Sequence, residues 1–287
     1  MTFTPARSKA VRLTRAGAAR VMDALERDFG RLPEGEWAHA HHYLLDALDR
    51  GEHGRFVVWP GNDPVAVLYC GSTGTLVPAG NAAAAAAFAE IAEQTGWRIL
   101  IGDLPIAEAM LEQPSRALFR RRISARQQRF MTATAASVES GEPPTGLRLA
   151  VGSDLEQLTD FACQLHIEDQ MGPPISRSGR AAVRSRMLES IIQSATWVVE
   201  RNGMPVAKID LSLRSRRRGA QIAGVFVAPR WRNLGIAREA VRAVAHELLD
   251  DGLPVVSLHV RADNASAIAA YRRAGFQDQR PWLLALR

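Results

Sequence analysis

Cysteine and lysine are both nearly missing from this chain, and each shortage narrows what the protein can be. Cys70 and Cys163 are the two cysteines among 287 residues, far apart and without a C-x-x-C spacing. Neither a disulfide framework nor a zinc site follows from them, so no metal is expected and a reducing, cytoplasmic compartment fits. Lys9 and Lys208 are the lysines, so almost all positive charge is arginine. A GC-rich coding sequence accounts for that bias as readily as selection for phosphate does. Aromatic residues reach 6% and are not interleaved with the basic ones, which argues against a nucleic-acid surface. No apolar run approaches the ~20 residues of a membrane span, and the alanine tract at 82–87 reads as part of a helix. The basic N-terminal residues lead into no apolar stretch, so neither a secretory signal nor a membrane partner is expected.

What the chain does have is apolar mass and positive charge. A hydrophobic content of 47% over 287 residues supplies a core for each of two domains. The net charge of +6 suits nucleic acid, an anionic membrane or a phosphorylated ligand alike. The boundary falls at AASVESGEPPTG, residues 135–146, where Gly, Ser and a Pro-Pro pair interrupt both flanking patterns. The expected division is a domain at 1–134, a linker at 135–146 and a domain at 147–287.

Downstream of the linker, periodicity predicts a strand at 147–151, helices at 154–166 and 179–193, and strands at 195–201 and 206–214 joined by Asn202-Gly203. The run VFVAPRWRNLGIA, 225–237, then breaks from an apolar strand into an Arg- and Gly-bearing turn that opens an amphipathic helix. A loop wrapped on a helix N-terminus offers an anion several unpaired backbone N–H groups at the positive end of the helix dipole. Arg232 adds charge and Gly235 allows close approach. A strand at 255–260 and the run LHVRADNASAIAAYRRAGF, 258–276, follow.

The turn R-x-x-G-x-A after a V-x-V strand, followed by Asn264, Ala267, Tyr271, Gly275 and Phe276 in register, resembles the coenzyme A site of the GNAT acetyltransferase superfamily. The likeness covers about 147–287. It implies backbone pairing of Val225, Phe226 and Val227 with the pantetheine arm of acetyl coenzyme A. It also implies pyrophosphate binding by Arg232, Asn233, Leu234, Gly235, Ile236 and Ala237, with further cofactor contacts from Asn264, Ala267 and Tyr271. The family usually has Gly where this chain has Asn233. Arg230, Arg238, Arg272 and Arg273 are candidates for the adenosine 3′-phosphate. Tyr271 corresponds to the family's general acid for the departing thiolate, and seven residues, two helical turns, separate it from Asn264. Many relatives carry Glu where this chain has Gln221. Asp210, His259, Glu168 or water is left as the base, with Glu168 taken as the candidate base or amine-recognition group.

The N-terminal half repeats the grammar more loosely. Helices are expected at 18–29, 36–50, 81–95 and 104–111, and strands at 56–59, 65–69, 75–77, 98–102 and 127–133. Its turn, VPAGNAA, has no Arg, so this second GNAT-like copy should not bind coenzyme A. The fold class expected is α/β, tandem GNAT-like domains, each a mixed and mostly antiparallel sheet flanked by helices. The activity implied is N-acetyl transfer from acetyl coenzyme A to a small-molecule amine or a protein amino group, by direct attack in a ternary complex. Another acyl donor on the same fold, or a module that holds coenzyme A without turnover, are the alternatives, and either a monomer or a homodimer is compatible. The arginines at 214 and 216–218 read as a solvated hairpin tip.

Overall fold

The structure, a computed structural model, describes residues 9–31, 39–61, 63–114 and 123–287. In chain order the elements are β1 (Val11–Arg12), α1 (Ala18–Glu26), α2 (His42–Asp49), β2 (Phe56–Trp59), β3 (Ala66–Cys70), β4 (Thr75–Gly80), α3 (Ala85–Thr95), β5 (Ile99–Asp103), α4 (Leu104–Leu111) and β6 (Ser124–Ala133). They continue as β7 (Leu147–Leu149), α5 (Leu155–Glu168), α6 (Arg177–Ile192), β8 (Thr196–Arg201), β9 (Met204–Ser215), β10 (Gly219–Val227), α7 (Ile236–Asp250), β11 (Val256–Arg261), α8 (Ala265–Arg273) and β12 (Gln277–Leu286). The beginning of the helix expected at 36–50 lies outside the described residues, as does Asn62. The helix expected at 18–29 stops at Glu26, because Asp28 and Phe29 take positive φ values of 47° and 55° that no right-handed helix allows.

Two compact units result, one holding the chain up to Phe130 together with Gln279–Arg287, the other Met131–Asp278. The boundaries therefore differ from those expected. The end of β12 leaves the second domain because Trp282–Leu286 pair antiparallel with Ile99–Asp103 of β5. Met131 and Ala133, at the end of β6, lie in the core of the second unit. The stretch 135–146 is packed rather than a tether: Val138 is buried, and Arg242 on α7 donates to the carbonyls of Glu139 (3.1 Å) and Glu142 (2.7 Å).

Each unit runs the same course, which is the expected tandem α/β class. In the first, β2, β3 and β4 are successive antiparallel neighbours and β4 pairs parallel with β5 at Thr75↔Ile99 and Leu76↔Leu100. In the second, β7, β8, β9 and β10 are antiparallel neighbours, and β10 pairs parallel with β11. Asn202 and Gly203, both at positive φ, make the tight turn between β8 and β9. The apolar stripe of α7, with Ala240, Val241, Val244 and Leu248 nearly inaccessible, closes the core over Ile222, Val256 and Leu258. Each such valine, leucine or isoleucine side chain contributes about 1.5–3 kcal/mol by leaving water. Of the arginines at the β9–β10 turn, Arg214 pairs with Asp251 at 3.0 Å, whereas Arg218 is 3% exposed and so departs from the solvated reading.

Candidate active site

Two features of β10 set up the site. The parallel register with β11 covers Ala220–Ile222 against Val256–Leu258 and ends there, although β10 runs on to Val227 and β11 to Arg261. Val225, Phe226 and Val227 thus lie on a stretch of strand that has parted from its parallel neighbour. The second feature is a bulge, since the register against β9 slips between Ala223↔Asp210 and Phe226↔Lys208. Gly224 sits in it at φ +63°, where an added Cβ would lie 2.4 Å from Asp210 Oδ2 and 3.0 Å from Lys208 Nζ. Its carbonyl accepts from Lys208 Nζ at 3.0 Å. Phe226 is buried against the ring of Phe161, while Val225 and Val227 are partly exposed.

Past β10 the chain makes a single turn of 3-10 helix at Pro229–Trp231 and then bends through two left-handed residues, Asn233 at φ 63° and Gly235 at φ 77°. Asn is among the few side-chain-bearing residues that occupy this region readily, which is why it substitutes here for Gly. Gly235 is the N-cap of the 15-residue α7 and supplies no side-chain cap, so the first N–H groups of a long helix are left without a side-chain acceptor. Leu234 is 62% exposed, Arg232 and Asn233 are exposed, Ala237 is half-buried, and Ile236 is anchored in the core. An anion at this turn meets the helix dipole and uncapped amides together. The equivalent turn of the first unit is already filled. Asn81 follows β4 there, and its side chain accepts from Ala83 N at 2.9 Å.

Arg232 is engaged within the protein. Its Nε donates to the Val227 carbonyl at 2.9 Å and its Nη2 to both carboxylate oxygens of Glu168, at 2.8 and 2.9 Å. Glu168, the last residue of α5, also accepts at its backbone carbonyl from Arg261 at 2.9 Å. Both Glu168 oxygens are thereby turned to Arg232 at the turn before α7. Of the other basic candidates, Arg272 pairs with Asp278 at 2.6 Å, Arg238 with Glu239 at 2.9 Å, and Arg230 lies over the Trp231 ring at 5.6 Å. Arg273 is exposed.

Asn264 caps α8, with its Oδ1 accepting from Ala267 N at 3.1 Å and from Ser266 Oγ at 3.0 Å. Two turns along the same helix, Tyr271 is 8% exposed within the apolar core, its ring 6.4 Å from that of Phe276. Burial, helped by the negative charge of Asp169, pushes its phenol well above the ordinary value. Among the described residues its hydroxyl has no hydrogen-bond partner.

Between α5, α6, β9 and the bulge of β10 lies a cavity of about 660 Å³. Leu165, Met171, Val183, Met187 and Leu211 give it apolar walls, and Asp169, Glu189, Asp210, Arg186 and Lys208 bring charge to it. Glu168 is absent from the lining, and its neighbour Asp169 takes that place. On β9, Lys208 is 1% exposed and is ion-paired with Asp210, whose other oxygen accepts from Thr196 Oγ1 at 3.0 Å. Lys208 and Asp210 share one face by the two-residue strand period. The rarity of lysine was the signal available in the sequence.

In the first unit, Asp28, His41 and Asp103 bring buried potential metal-ligating atoms within 4.8 Å of one another. The guanidinium of Arg280 already bridges the carboxylates, at 2.7 Å to Asp28 and 3.3 Å to Asp103, and His41 Nε2 lies 2.6 Å from Asp28 Oδ1. A cation is thus built into the cluster.

A family model described as the Acetyltransferase (GNAT) family matches residues 166–276, from the last turn of α5 to the end of the second sequence block. The chain carries a GNAT domain. Within the curated proteins, L-amino acid N-acetyltransferase AaaT of Escherichia coli strain K12 is 38% identical over 71 residues, 24% of this chain and 43% of that protein. The chain thus spans less than half the length of that relative. A GCN5-related N-acetyltransferase from Sphaerobacter thermophilus superposes with a TM-score of 0.61 at 18% identity, over 97% of this chain and 94% of its own. A tandem GNAT protein from the clavulanic acid biosynthesis pathway gives 0.53 at 11% identity, over 97% of each chain. At these identities the two likenesses establish fold, and they extend it beyond the GNAT domain to nearly the whole chain.

Proposed function

We propose that the GNAT domain transfers an acetyl group from acetyl coenzyme A to an amine, within a ternary complex of both substrates. The observation that carries this reading is the joint arrangement of a strand end released from its parallel neighbour and an uncapped helix N-terminus just beyond it. The residues present fit coenzyme A. Backbone groups of Val225, Phe226 and Val227 would take the pantetheine arm, the turn from Arg232 to Ala237 the pyrophosphate, and Asn264, Ala267 and Tyr271 would approach along α8. Bound there, acetyl coenzyme A supplies an acyl thioester, whose carbonyl carbon forms a C–N bond with the amine as the C–S bond breaks and the nitrogen's proton passes to sulfur. Support also comes from the family match and from the relative named as an L-amino acid N-acetyltransferase.

The chain's own residues then have distinct tasks. Main-chain N–H groups at the released end of β10 polarise the acyl carbonyl. A phenol held above its ordinary value of about 10 is a weaker acid than a thiol near 8.5. Tyr271 therefore works by donating a hydrogen bond to the leaving sulfur, not by giving up its proton outright. Glu168, held by Arg232, acts as a positioning residue for the pyrophosphate turn in this reading, and proton removal from the amine falls to water or to the cavity carboxylates. Free cysteines at 70 and 163 fit a cytoplasmic setting, and among the described residues no helix is long and apolar enough to cross a membrane.

Thiol release from acetyl coenzyme A across a panel of amines tests the proposal. Amine-dependent release is the expected result. Thermal stabilisation by coenzyme A with no release from any amine would favour a non-catalytic module, a reading that Gln221 in place of a strand carboxylate keeps open.

A further inference from the structure

The cavity beside the β10 bulge has a fixed carboxylate in its lining, and we infer that Asp210 is the anchor for a cationic amine, so that the acceptor is an ammonium carried on an apolar body. This rests on the coenzyme reading above and extends it to the other substrate.

The first reason is placement. Asp210 is the register partner of Ala223, and its Oδ2 lies where any side chain at residue 224 would have to go. The pantetheine stretch proposed for Val225–Val227 begins one residue further on. A nitrogen held by Asp210 is consequently next to the strand end along which the thioester would lie.

The second reason is rigidity. Thr196 Oγ1 donates to Asp210 Oδ1 at 3.0 Å, and Thr196 is itself within 2.8 Å of Ser190 Oγ on α6. Lys208 holds the other oxygen and is tied in turn to the Gly224 carbonyl. The carboxylate is pinned from two sides yet stays 18% exposed and lines the cavity, with lone pairs remaining on both oxygens. A side chain oriented this way loses little entropy on meeting a ligand.

The third reason is charge. Asp169, Glu189 and Asp210 face Arg186 and Lys208 in the lining, a formal excess of one negative charge in a chain whose net charge is +6. The charge of Lys208 is already committed to Asp210 and Gly224. With the Lys208–Asp210 pair set aside, Asp169 and Glu189 stand against Arg186, so the lining stays anionic beside its apolar walls, which suits an ammonium on a hydrocarbon stem and disfavours an anionic acceptor.

Calorimetric titration of butylamine, phenethylamine and 1,4-diaminobutane into the full chain saturated with coenzyme A tests this, with butanol and 2-phenylethanol as uncharged counterparts. Amines should bind and the alcohols bind more weakly. Asp210→Asn should weaken the amines by about ten- to a hundred-fold, the range of a hydrogen bond to a charged group, and erase the preference over alcohols. Since Asn leaves Lys208 without a counter-charge, the double variant Lys208→Met with Asp210→Asn is run beside it, and the same loss is expected. Unchanged amine affinity in a variant that still binds coenzyme A would overturn the assignment, as would equal binding of amine and alcohol by the parent. If the parent fails to bind coenzyme A at all, the coenzyme reading itself falls and takes this one with it.

Discussion

Gly224→Ala places a methyl group where the bulge of β10 leaves no room for one. Two costs follow from the geometry. An L-residue at φ +63° costs about 1–2 kcal/mol. The new Cβ would stand 2.4 Å from Asp210 Oδ2 and 3.0 Å from Lys208 Nζ, so the carboxylate must leave its bonds to Thr196 and Lys208 or the strand must shift. Losing one hydrogen bond to a charged group costs about 1.5–3 kcal/mol. The two costs total about 2.5–5 kcal/mol, a large part of the stability of a domain. Urea unfolding of the coenzyme-free protein, followed by tryptophan fluorescence, reads the change, with Gly252→Ala as the control. Gly252 is also left-handed, at φ +87°, but an added Cβ meets nothing within 4 Å, so it carries the backbone cost alone. If Gly224→Ala destabilises no more than Gly252→Ala, the packed bulge and the tightness of the Lys208–Asp210 pair are refuted.

Tyr271→Phe should lower turnover by about ten- to a hundred-fold while leaving coenzyme A affinity within about twofold, as expected for a lost hydrogen bond made only to the leaving sulfur. Because the phenol is raised above 10, its donor form persists at and above pH 10, so the parent's rate should show no alkaline fall between pH 8 and 10 that Tyr271→Phe removes. Glu168→Gln should weaken coenzyme A binding by up to about fivefold by loosening Arg232 at the turn, in keeping with an exposed ion pair; a large drop in turnover at unchanged affinity would instead assign Glu168 a role as base. Arg280→Met should destabilise the first unit by about 3–5 kcal/mol, since it strands two buried carboxylates. Burial raises the Asp28 carboxyl, but hydrogen bonds from His41 and Arg280 outweigh it and hold it well below the carboxylate range. That stabilisation is complete above the unfolded value of about 3.9 and is lost as pH falls below it, so Arg280→Met should flatten the acid side of a stability-against-pH curve.

Much of the second unit could be read from residues alone because its signals are local. Asn202-Gly203 specifies a tight turn, and Arg232 to Ala237 specify a bend that uses left-handed backbone at two defined places. The one-residue surprise at Asn233 resolves the same way, since its φ is the one that Gly would supply. Long-range choices were not readable. Nothing in the apolar run at 281–286 says that it pairs with β5 of the first unit, since a buried strand looks the same beside either neighbour. The pairing of Glu168 with Arg232 joins residues 64 apart, so no local pattern announces it. Asp210 was one of several carboxylates until the fold placed it beside the bulge at Gly224 and in the lining of the cavity. Tyr271 could be picked out from its spacing to Asn264, but the depth of packing and the nearby Asp169 that raise its phenol could not.

The central claim is that one turn, Arg232 to Ala237, holds coenzyme A and that its counterpart after β4 does not, being closed by Asn81. Isothermal titration of coenzyme A into the full chain addresses it directly, with Gly235→Glu as the variant that adds bulk and like charge at the N-terminus of α7. The account predicts one site per chain in the parent and none in Gly235→Glu. Two sites in the parent, or binding that survives Gly235→Glu in a folded protein, would contradict it.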